Sequence, residues 1–285
     1  MGLLSPGDEA IIPAPYWVSY PDMVRLAGAE PVIVAAGIEE DFKITPEQLT
    51  DAITARTRLL ILNSPSNPTG ASYSKSELQA LGAALTGHPD IVIVADDIYE
   101  HIHWGHDPFC SFAAACPDLY DRTVTTNGVS KAYAMTGWRI GYAAGPVELI
   151  SAMKTLQSQS TSNPCSVSQA AAQAALSGDQ SPVPKMTAAY KERHDYVVQA
   201  LNDIDGFECR PGEGTFYALP RVVDALGNKK LASDTDLVAL LINDADVACV
   251  PGSAFGAPGY IRLSFACSME MLEEAVNRIK RVVSA

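Results

Sequence analysis

The sequence is short of basic residues and contains no long hydrophobic run. Its 285 residues include 20 Lys and Arg against 33 Asp and Glu, which gives a formal net charge of −13. Nucleic acids and anionic membranes bind clustered positive charge, so this balance argues against either as the main partner. No apolar run approaches the length of a membrane-spanning helix, and residues 1–20 lack the basic start and apolar stretch of a signal peptide. We therefore expect a cytoplasmic protein.

Closely spaced cysteine pairs are also missing. The six cysteines show no CxxC spacing, which favours reduced, mostly buried thiols in a reducing compartment. His101, His103 and His106, followed by Asp107, could suggest a metal site. They lie in a loop that lacks a second group of ligands, so we expect no metal. The cysteines are Cys110, Cys116, Cys165, Cys209, Cys249 and Cys267.

What the sequence does contain is a regular alternation of short apolar runs and helical segments. The chain is 47% hydrophobic and 19% charged, which is enough to bury a sizeable core in one large or two smaller domains. The alternation predicts an α/β fold with a mostly parallel sheet. Capping boxes, Thr45 with Gln48 and Ser74 with Glu77, mark the starts of two helices. The predicted strands are EAIIPA, PVIVAA, RLLILN, IVIVADD, RTVTTNG and RIGYAAG.

The last third of the chain predicts a smaller α+β unit. A long helix from about Met186 to Ile204 leads into this unit, and a helix after Ser268 closes it. The closing helix places apolar residues along one face, namely Leu272, Val276, Ile279 and Val283. The predicted strands of this unit are FECRP, TFYALP, VACVP and YIRLSF.

The segment GVSKAYAMTGWRIG, residues 128–141, carries the strongest chemical pattern in the chain. Lys131 stands between the small residues Ser130 and Ala132, and Arg139 follows eight positions after the lysine. An amine is nucleophilic only when it is unprotonated, and a nearby cation or a desolvated pocket lowers its pKa. The pattern therefore predicts a Schiff-base lysine with a phosphate-binding arginine. For a lone Ser-Lys pair, a surface lysine in a loop would be the alternative interpretation.

This segment resembles the cofactor-attachment signature of the class I and II aminotransferases. The resemblance implies pyridoxal 5′-phosphate as the cofactor, Lys131 as the catalytic residue bound to it, and Arg139 with Ser130 as ligands of its phosphate. It also implies the α/β architecture of fold type I PLP-dependent transferases, a large domain with a mostly parallel sheet and a smaller α+β C-terminal domain. We place the cofactor-binding domain at residues 1–185 and the small domain at residues 186–285.

Two further motifs match the family pattern at the ends of predicted strands. In VADDIYEH, the resemblance makes Asp96 the carboxylate that keeps the pyridine nitrogen of the cofactor protonated, and Tyr99 a hydrogen-bonding partner of its 3-oxygen. Asp97 could be mistaken for Asp96, but the spacing to Tyr99 favours Asp96. In NSPSNPTG, Asn67 resembles the family asparagine that shares this hydrogen bond and borders the substrate. We expect at least one of the two X-Pro bonds of this motif to be cis. In isolation, an acidic turn with a core tyrosine and a plain Pro/Gly turn remain the alternatives.

The ends of the chain supply two more matches. Trp17 in PAPYWVSYP resembles the aromatic residue that stacks on the cofactor ring beside the substrate, although a tryptophan among other aromatic residues is by default a core residue. Arg262 in GYIRLSFA resembles the arginine that binds the substrate α-carboxylate through a bidentate fork. A structural ion pair is the alternative for Arg262, because an unpaired buried charge is costly.

The chain also departs from the family. Members usually carry, before the point where this chain begins, an N-terminal arm, a first helix and a strand leading to a helix whose N-terminus cradles the cofactor phosphate. Without those amides, we expect Arg139 and Ser130 to hold the phosphate largely alone, cofactor binding to be weak, and the RIGYAAG strand to form an unpaired edge. A truncated gene model and a shortened natural protein both explain this departure.

Together, the motifs resemble the prokaryotic subgroup of the aspartate aminotransferase family. The resemblance implies a homodimer and a two-step exchange in which Lys131 moves the Cα proton of an amino acid, with aspartate and 2-oxoglutarate as the first expectation. Prephenate or aromatic substrates remain open. The same holds for a lyase or synthase on this scaffold, for a non-catalytic cofactor-binding regulatory domain, and for an inactive fragment.

Overall fold

The computed structural model describes residues 1–284 and is built around a mixed sheet. The strands of this main sheet are β1 (Glu9–Ala14), β2 (Glu30–Ala35), β3 (Thr57–Asn63), β4 (Val92–Asp96), β5 (Thr123–Gly128) and β6 (Gly141–Ala144). Their spatial order is β2-β1-β3-β4-β5-β6, with parallel pairing from β2 to β5 and antiparallel pairing of β6 with β5. Within residues 1–284, no strand pairs with the outer side of β6. The predicted α/β class with a mostly parallel sheet is confirmed.

Capped helices connect these strands. The two predicted capping boxes are present: the Oγ1 of Thr45 accepts from the Gln48 N–H, and the Oγ of Ser74 accepts from the Glu77 N–H. The Gln48 and Glu77 side chains accept in return from the two cap N–H groups. The helices of this part are α1 (Ser19–Leu26), α2 (Pro46–Ala52), α3 (Lys75–Leu85), α4 (Phe112–Ala115), α5 (Val147–Ser158) and α6 (Ser166–Ser177).

The main sheet buries apolar side chains on both of its faces. In β1, Ile11 belongs to one buried cluster, whereas Ala10 and Ile12 belong to the other. In β3, Leu60 joins the cluster of Ile11 and Leu59 joins that of Ile12. Successive strand residues point to opposite faces, so a sheet that is covered on both sides requires near-continuous apolar strands. This explains why the short predicted strands EAIIPA and RLLILN are almost entirely apolar.

The C-terminal third forms a second core around a small antiparallel sheet. Its elements are α7 (Pro182–Asn202), β7 (Tyr217–Ala218), α8 (Val223–Lys229), α9 (Asp234–Ala245), β8 (Val250–Pro251), β9 (Ile261–Ser264) and α10 (Met269–Ser284). The strand order is β7-β9-β8. The predicted apolar face of α10 is confirmed, since Leu272, Val276, Ile279 and Val283 are all buried in this core. Because this core is separate from the two clusters of the main sheet, we propose a large domain of residues 1–185 and a small domain of residues 186–285.

Two predictions for the small unit were wrong in detail. The helix expected from Met186 begins earlier, at Pro182, because prolines fit the first helical turn, where no intrahelical N–H bond is needed. FECRP does not form a strand. The Asn202 side chain instead holds both backbone groups of Cys209, at 2.8 and 2.9 Å. Of this run, Glu208 alone forms a bridge, to Arg221.

The cysteines are unpaired throughout the described part of the chain, as expected from their spacing. They are less buried than predicted: Cys116 and Cys209 are buried, Cys165 is exposed, and the others are half-buried. Among residues 1–284, no helix is both long enough and apolar enough to cross a membrane.

Candidate active site

The carboxyl ends of β3, β4 and β5 meet at one edge of the main sheet and carry several of the predicted site residues. Asn67 follows β3, Asp96 ends β4, and Lys131 follows β5. Parallel strands bring their carboxyl ends together, and open α/β sheets bind ligands at such an edge. Here the three residues border a pocket of about 490 Å³. It is lined by Trp17, Val18, Tyr20, Asn63, Asn67, Asp96, Ile98, Tyr99, Lys131, Tyr217, Val250, Phe255 and Arg262.

Lys131 lies half-buried in this pocket beside two aromatic rings. Its Nζ is 5.7 Å from the centroid of the Tyr99 ring and 5.6 Å from that of Phe216. Burial lowers the pKa of the Lys131 ammonium, and the positive charges of Arg262 and Arg139 lower it further. A lowered pKa increases the fraction of free amine at neutral pH, and a nucleophile or general base needs that form.

Asp96 is held by a tyrosine that the motif analysis did not single out. The Tyr20 hydroxyl donates to its carboxylate at 2.5 Å, and the Asn63 side-chain amide donates to its backbone carbonyl at 2.8 Å. Burial raises the pKa of Asp96, whereas the hydrogen bond from Tyr20 lowers it. The neighbouring Asp97 is buried but does not line the pocket. Burial, followed by the charges of Glu100 and Asp96, raises the pKa of Asp97 to about 7.

The NSPSNPTG loop presents Asn67 to the pocket. The Asn63 side chain accepts a hydrogen bond from the Asn67 N–H at 2.9 Å, which ties the loop to the end of β3. The Ser64–Pro65 and Asn67–Pro68 bonds are both cis, so the expectation of at least one cis bond is confirmed. The Asn67 side-chain oxygen accepts from the guanidinium of Arg262 at 2.9 Å.

Arg262 lies between two aromatic rings and has an unused donor. Its Cζ is 4.3 Å from the centroid of the Tyr217 ring and 4.8 Å from that of Phe255. Its Nε–H is buried and has no partner in residues 1–284. A buried guanidinium with a free donor is a costly arrangement unless an anion completes it. The Tyr99 hydroxyl is 3.5 Å from the hydroxyl of Tyr217, whose ring packs on Arg262.

The structure brings six of the eight predicted site residues into one pocket and places two outside its lining. Trp17 lines the pocket, and its ring meets the Tyr20 ring edge to face at 5.3 Å. Arg139 is exposed, and its Nη1 donates to the Thr136 carbonyl at 2.9 Å. Ser130 is half-buried. Ser130 directly precedes Lys131 in the chain, and Arg139 follows it by eight positions. Neither side chain borders the pocket.

Four aromatic site residues were missed in the sequence, namely Tyr20, Phe216, Tyr217 and Phe255. Tyr20 follows Trp17 by three positions, about one helical turn, and this spacing could have indicated that both side chains face one site. Phe216 and Tyr217 gave no usable signal, because alternation along a short strand does not say which side chain faces a ligand. Within the described residues, no group of three or more His, Cys, Asp or Glu is arranged to hold a metal ion.

Comparisons with known proteins match this chain to one family. The family described as aminotransferase class I and II matches residues 1–279. The chain is 54% identical over 290 residues to the aspartate/prephenate aminotransferase of Nitrosomonas europaea, an alignment that covers 100% of this chain and 73% of that protein. It is 50% identical over 284 residues to an aspartate aminotransferase of Rhizobium meliloti, covering 98% of this chain and 69% of the relative.

A solved structure also has a fold very similar to that of this chain. The crystal structure of the aspartate aminotransferase from Rhizobium meliloti superposes on this chain with a TM-score of 0.95 at 48% sequence identity. The match covers 99% of this chain and 72% of that one. The agreement therefore extends over both the main sheet and the small unit.

Proposed function

This chain belongs to the class I and II aminotransferase family and is an aminotransferase, and from this premise we propose that it uses pyridoxal 5′-phosphate to move the amino group of aspartate to 2-oxoglutarate. The observation that carries the proposal is the juxtaposition of Lys131 and Arg262 in one pocket. An amine with a lowered pKa beside a guanidinium with a free buried donor suits an α-amino acid, which carries a carboxylate next to its reacting carbon.

The side chains of the pocket fit this cofactor. Asp96 offers a carboxylate for a protonated pyridine nitrogen, and Asn67 and Tyr99 offer polar groups for a ring oxygen. Trp17 offers a flat aromatic face, and Lys131 offers an amine for the carbonyl carbon. When bound, pyridoxal phosphate supplies an electron-withdrawing ring that makes the Cα–H of the amino acid acidic. Asp96 sustains that effect if its carboxylate stays ionised, and the hydrogen bond from Tyr20 favours the ionised form.

The roles of the remaining residues follow from their positions. Arg262, steadied by the Asn67 side chain and the Tyr217 ring, binds the α-carboxylate and so orients the Cα–H bond. Lys131, as a free amine, accepts the proton from Cα and would deliver it to the former carbonyl carbon of the bound cofactor, the transfer that an exchange of amino groups requires. The rings of Tyr99 and Phe216 lie beside that amine and contribute to the burial that lowers its pKa. These roles require that Lys131 and Arg262 act on the same substrate molecule.

Three finer assignments stay predictions. Arg139 and Ser130 remain the residues expected to bind the cofactor phosphate, supported by the effect of the Arg139 charge on the pKa of Lys131. A homodimer is expected from the family resemblance, and a cytoplasmic location is in keeping with the bacterial relatives.

An aromatic or prephenate substrate is the second candidate. The walls of the pocket include the rings of Trp17, Tyr217 and Phe255 and the apolar side chains of Ile98 and Val250. Such walls also suit a ring-bearing side chain. The relative from Nitrosomonas europaea is named for both aspartate and prephenate, in agreement with a pocket that accepts either.

The deciding experiment adds pyridoxal phosphate to the purified chain and compares the wild type with Lys131→Ala. We expect a visible absorption band that requires Lys131, together with conversion of aspartate and 2-oxoglutarate into oxaloacetate and glutamate. Lys154→Ala, which removes an exposed lysine of α5, serves as the matched control and should behave as the wild type. Parallel assays with prephenate and phenylalanine separate the two substrate candidates.

Three outcomes would contradict the proposal. A visible band that persists without Lys131 would remove that lysine from the site. Release of a product other than a keto acid would indicate a lyase or synthase. A band that requires Lys131, without any amino transfer, would favour a cofactor-binding regulatory role.

A further inference from the structure

The segment Gly212–Thr215 lies between the two units of the fold, and both units hold it. The N–H groups of Glu213 and Gly214 donate to the Gly70 carbonyl at 2.8 and 3.1 Å, next to the loop that carries Asn67. The Thr215 N–H donates to the Ile102 carbonyl at 2.9 Å, on the segment that follows Tyr99. The backbone of Gly212–Thr215 is therefore fixed against both of the loops that border the pocket.

This segment leads directly into the aromatic side of the pocket. Phe216 follows it and faces the amine of Lys131, with 5.6 Å from the ring centroid to Nζ. Tyr217 is next, and its ring lies against Arg262, 4.3 Å from the Cζ atom. A shift of Gly212–Thr215 would therefore move one ring away from the amine and the other away from the guanidinium.

Gly212 is held at both of its backbone polar groups by side chains. Its N–H donates to Nε2 of His194 in α7 at 2.9 Å, and its carbonyl accepts from the Trp104 indole N–H at 3.0 Å. A Cβ on Gly212 would lie 3.0 Å from the Cα of Gly70, so a side chain at this position would require the Gly70 backbone to move by a few tenths of an ångström. His194 thus supplies the contact between α7 and the segment.

The two ring nitrogens of His194 have different tasks. Because Nε2 accepts the Gly212 N–H, it carries no proton, and the ring proton lies on Nδ1, which is 3.0 Å from the Asp195 carboxylate. The ring is buried, and it packs against Trp104 at 5.2 Å and Phe265 at 6.0 Å between ring centroids. Burial lowers the pKa of His194, which keeps the ring neutral at physiological pH.

We propose that neutral His194 is a positioning residue of the aminotransferase site, and that it holds Gly212–Thr215 so that Tyr217 supports Arg262 in binding the substrate carboxylate. This inference deepens the proposed function and rests on it. His194 touches neither the pocket nor Lys131, so its influence passes through the segment.

The same contact makes the position of the segment sensitive to acid. A protonated imidazole has two N–H donors and no acceptor, so it repels the Gly212 N–H that the neutral ring binds. The charged groups that shift the pKa of His194 are Asp195 and Lys191, both on α7. From the other elements, Trp104, Phe265 and the Gly212 backbone face the ring, and none of these titrates near neutral pH. We therefore expect the segment to loosen as the pH falls below the usual histidine range.

The test measures hydrogen exchange of the Gly212 amide and substrate kinetics in parallel. His194→Phe keeps a ring but removes the acceptor, and we expect the Gly212 amide to exchange roughly tenfold faster, after correction for the intrinsic rate. We expect KM for aspartate to rise roughly three- to tenfold in this variant, with kcat little changed. His194→Gln places an amide oxygen where Nε2 stands and should restore both values. His106→Gln, at an exposed histidine, is the matched control.

The pH dependence separates positioning from a general loss of stability. In the wild type, the corrected exchange rate of Gly212 should rise as the pH falls below about 6.5, the ordinary pKa of histidine, and in His194→Gln it should stay flat. An equal rate in His194→Phe and the wild type would overturn the proposal, as would an acid response that persists in His194→Gln. If His194→Phe does not fold, the comparison of the wild type with His194→Gln still decides the point. A protected Gly212 amide in a wild type without amino transfer would instead contradict the proposed function.

Discussion

Arg262 combines three features that lysine cannot reproduce: a planar fork, contact with two rings and a charge that persists on burial. We expect Arg262→Lys to raise KM for aspartate by about ten- to a hundredfold, since a hydrogen bond to a charged group contributes about 1.5–3 kcal/mol. Steady-state kinetics checks this. Arg221→Lys, a similar change at a partly exposed arginine paired with Glu208, should leave KM as it is. Equal effects of the two changes would mean that Arg262 does not contact the substrate.

Tyr20 lowers the pKa of Asp96 through one hydrogen bond, against the larger raising effect of burial. In Tyr20→Phe the carboxylate loses the donor that lowers its pKa, while the ring that packs against Trp17 is kept. Asp96 then becomes protonated at higher pH, so the acid limb of the kcat/KM profile should move upward, and kcat/KM at neutral pH should fall by about tenfold. Tyr120→Phe, at an exposed tyrosine, is the control. An unchanged acid limb in Tyr20→Phe would separate Asp96 from the chemistry.

The site residues differ in whether a short stretch of sequence is enough to predict them. Lys131, Asp96 and Asn67 were predictable because each lies in a short motif at a strand end, where the fold itself brings ligands together. Tyr217 was not predictable, since its contact with Arg262 joins two positions of the small sheet that no local pattern links. Arg139 was predicted from its spacing to Lys131 and from the resemblance of residues 128–141 to the family signature, and neither defines whether a side chain reaches a pocket.

The start of α3 depends on Ser74, which caps it in a box with Glu77. Ser74→Ala removes the oxygen that accepts from the Glu77 N–H at 3.2 Å, and we expect the free energy of unfolding to fall by about 1 kcal/mol. Urea unfolding followed by circular dichroism measures the change. Lys75→Ala, at the next and exposed position, keeps the cap and should be nearly neutral. A loss of the same size in both variants would mean that the cap is not its source.

The predicted strands were confirmed where the apolar pattern of the sequence coincides with burial in the structure. The central strands β1, β3 and β4 carry buried or partly buried apolar side chains on both faces, so their apolar runs report burial directly. FECRP looked like a strand by composition, but the Asn202 side chain satisfies the backbone of Cys209 and leaves nothing for a ladder. This contact from the side chain of Asn202, in the preceding helix, is tertiary. The hydrophobic periodicity of the sequence gives no information about it.

At the scale of the whole molecule, the site requires both cores to be folded. The hydrogen bond from Arg262 to Asn67 joins residues 195 positions apart, and Arg262 also reaches Phe255 and Tyr217 of the small unit. Such contacts form only after the chain has closed long loops. Substitutions that loosen the packing of the two units should therefore weaken substrate binding before they unfold either core.

Asp97 makes the stability of the whole molecule depend on pH. It is 4% exposed, and burial with the nearby charges of Glu100 and Asp96 raises its pKa to about 7. In the unfolded chain the pKa is about 3.9, so between these values the folded protein binds a proton that the unfolded chain has released. Stability from this group is fully present at low pH and is lost as the pH rises toward the folded pKa.

Replacement of Asp97 by an uncharged isostere should remove that loss. We expect Asp97→Asn to raise the free energy of unfolding by up to about 4 kcal/mol at about pH 8, and to leave it nearly unchanged at about pH 4, because the wild-type carboxyl is then protonated in the folded protein. Urea unfolding at the two pH values measures this. Asp118→Asn, at an exposed aspartate, should show no such difference. A gain of equal size at both pH values would indicate better packing by asparagine and would mean that the Asp97 carboxyl is not charged in the folded protein at neutral pH.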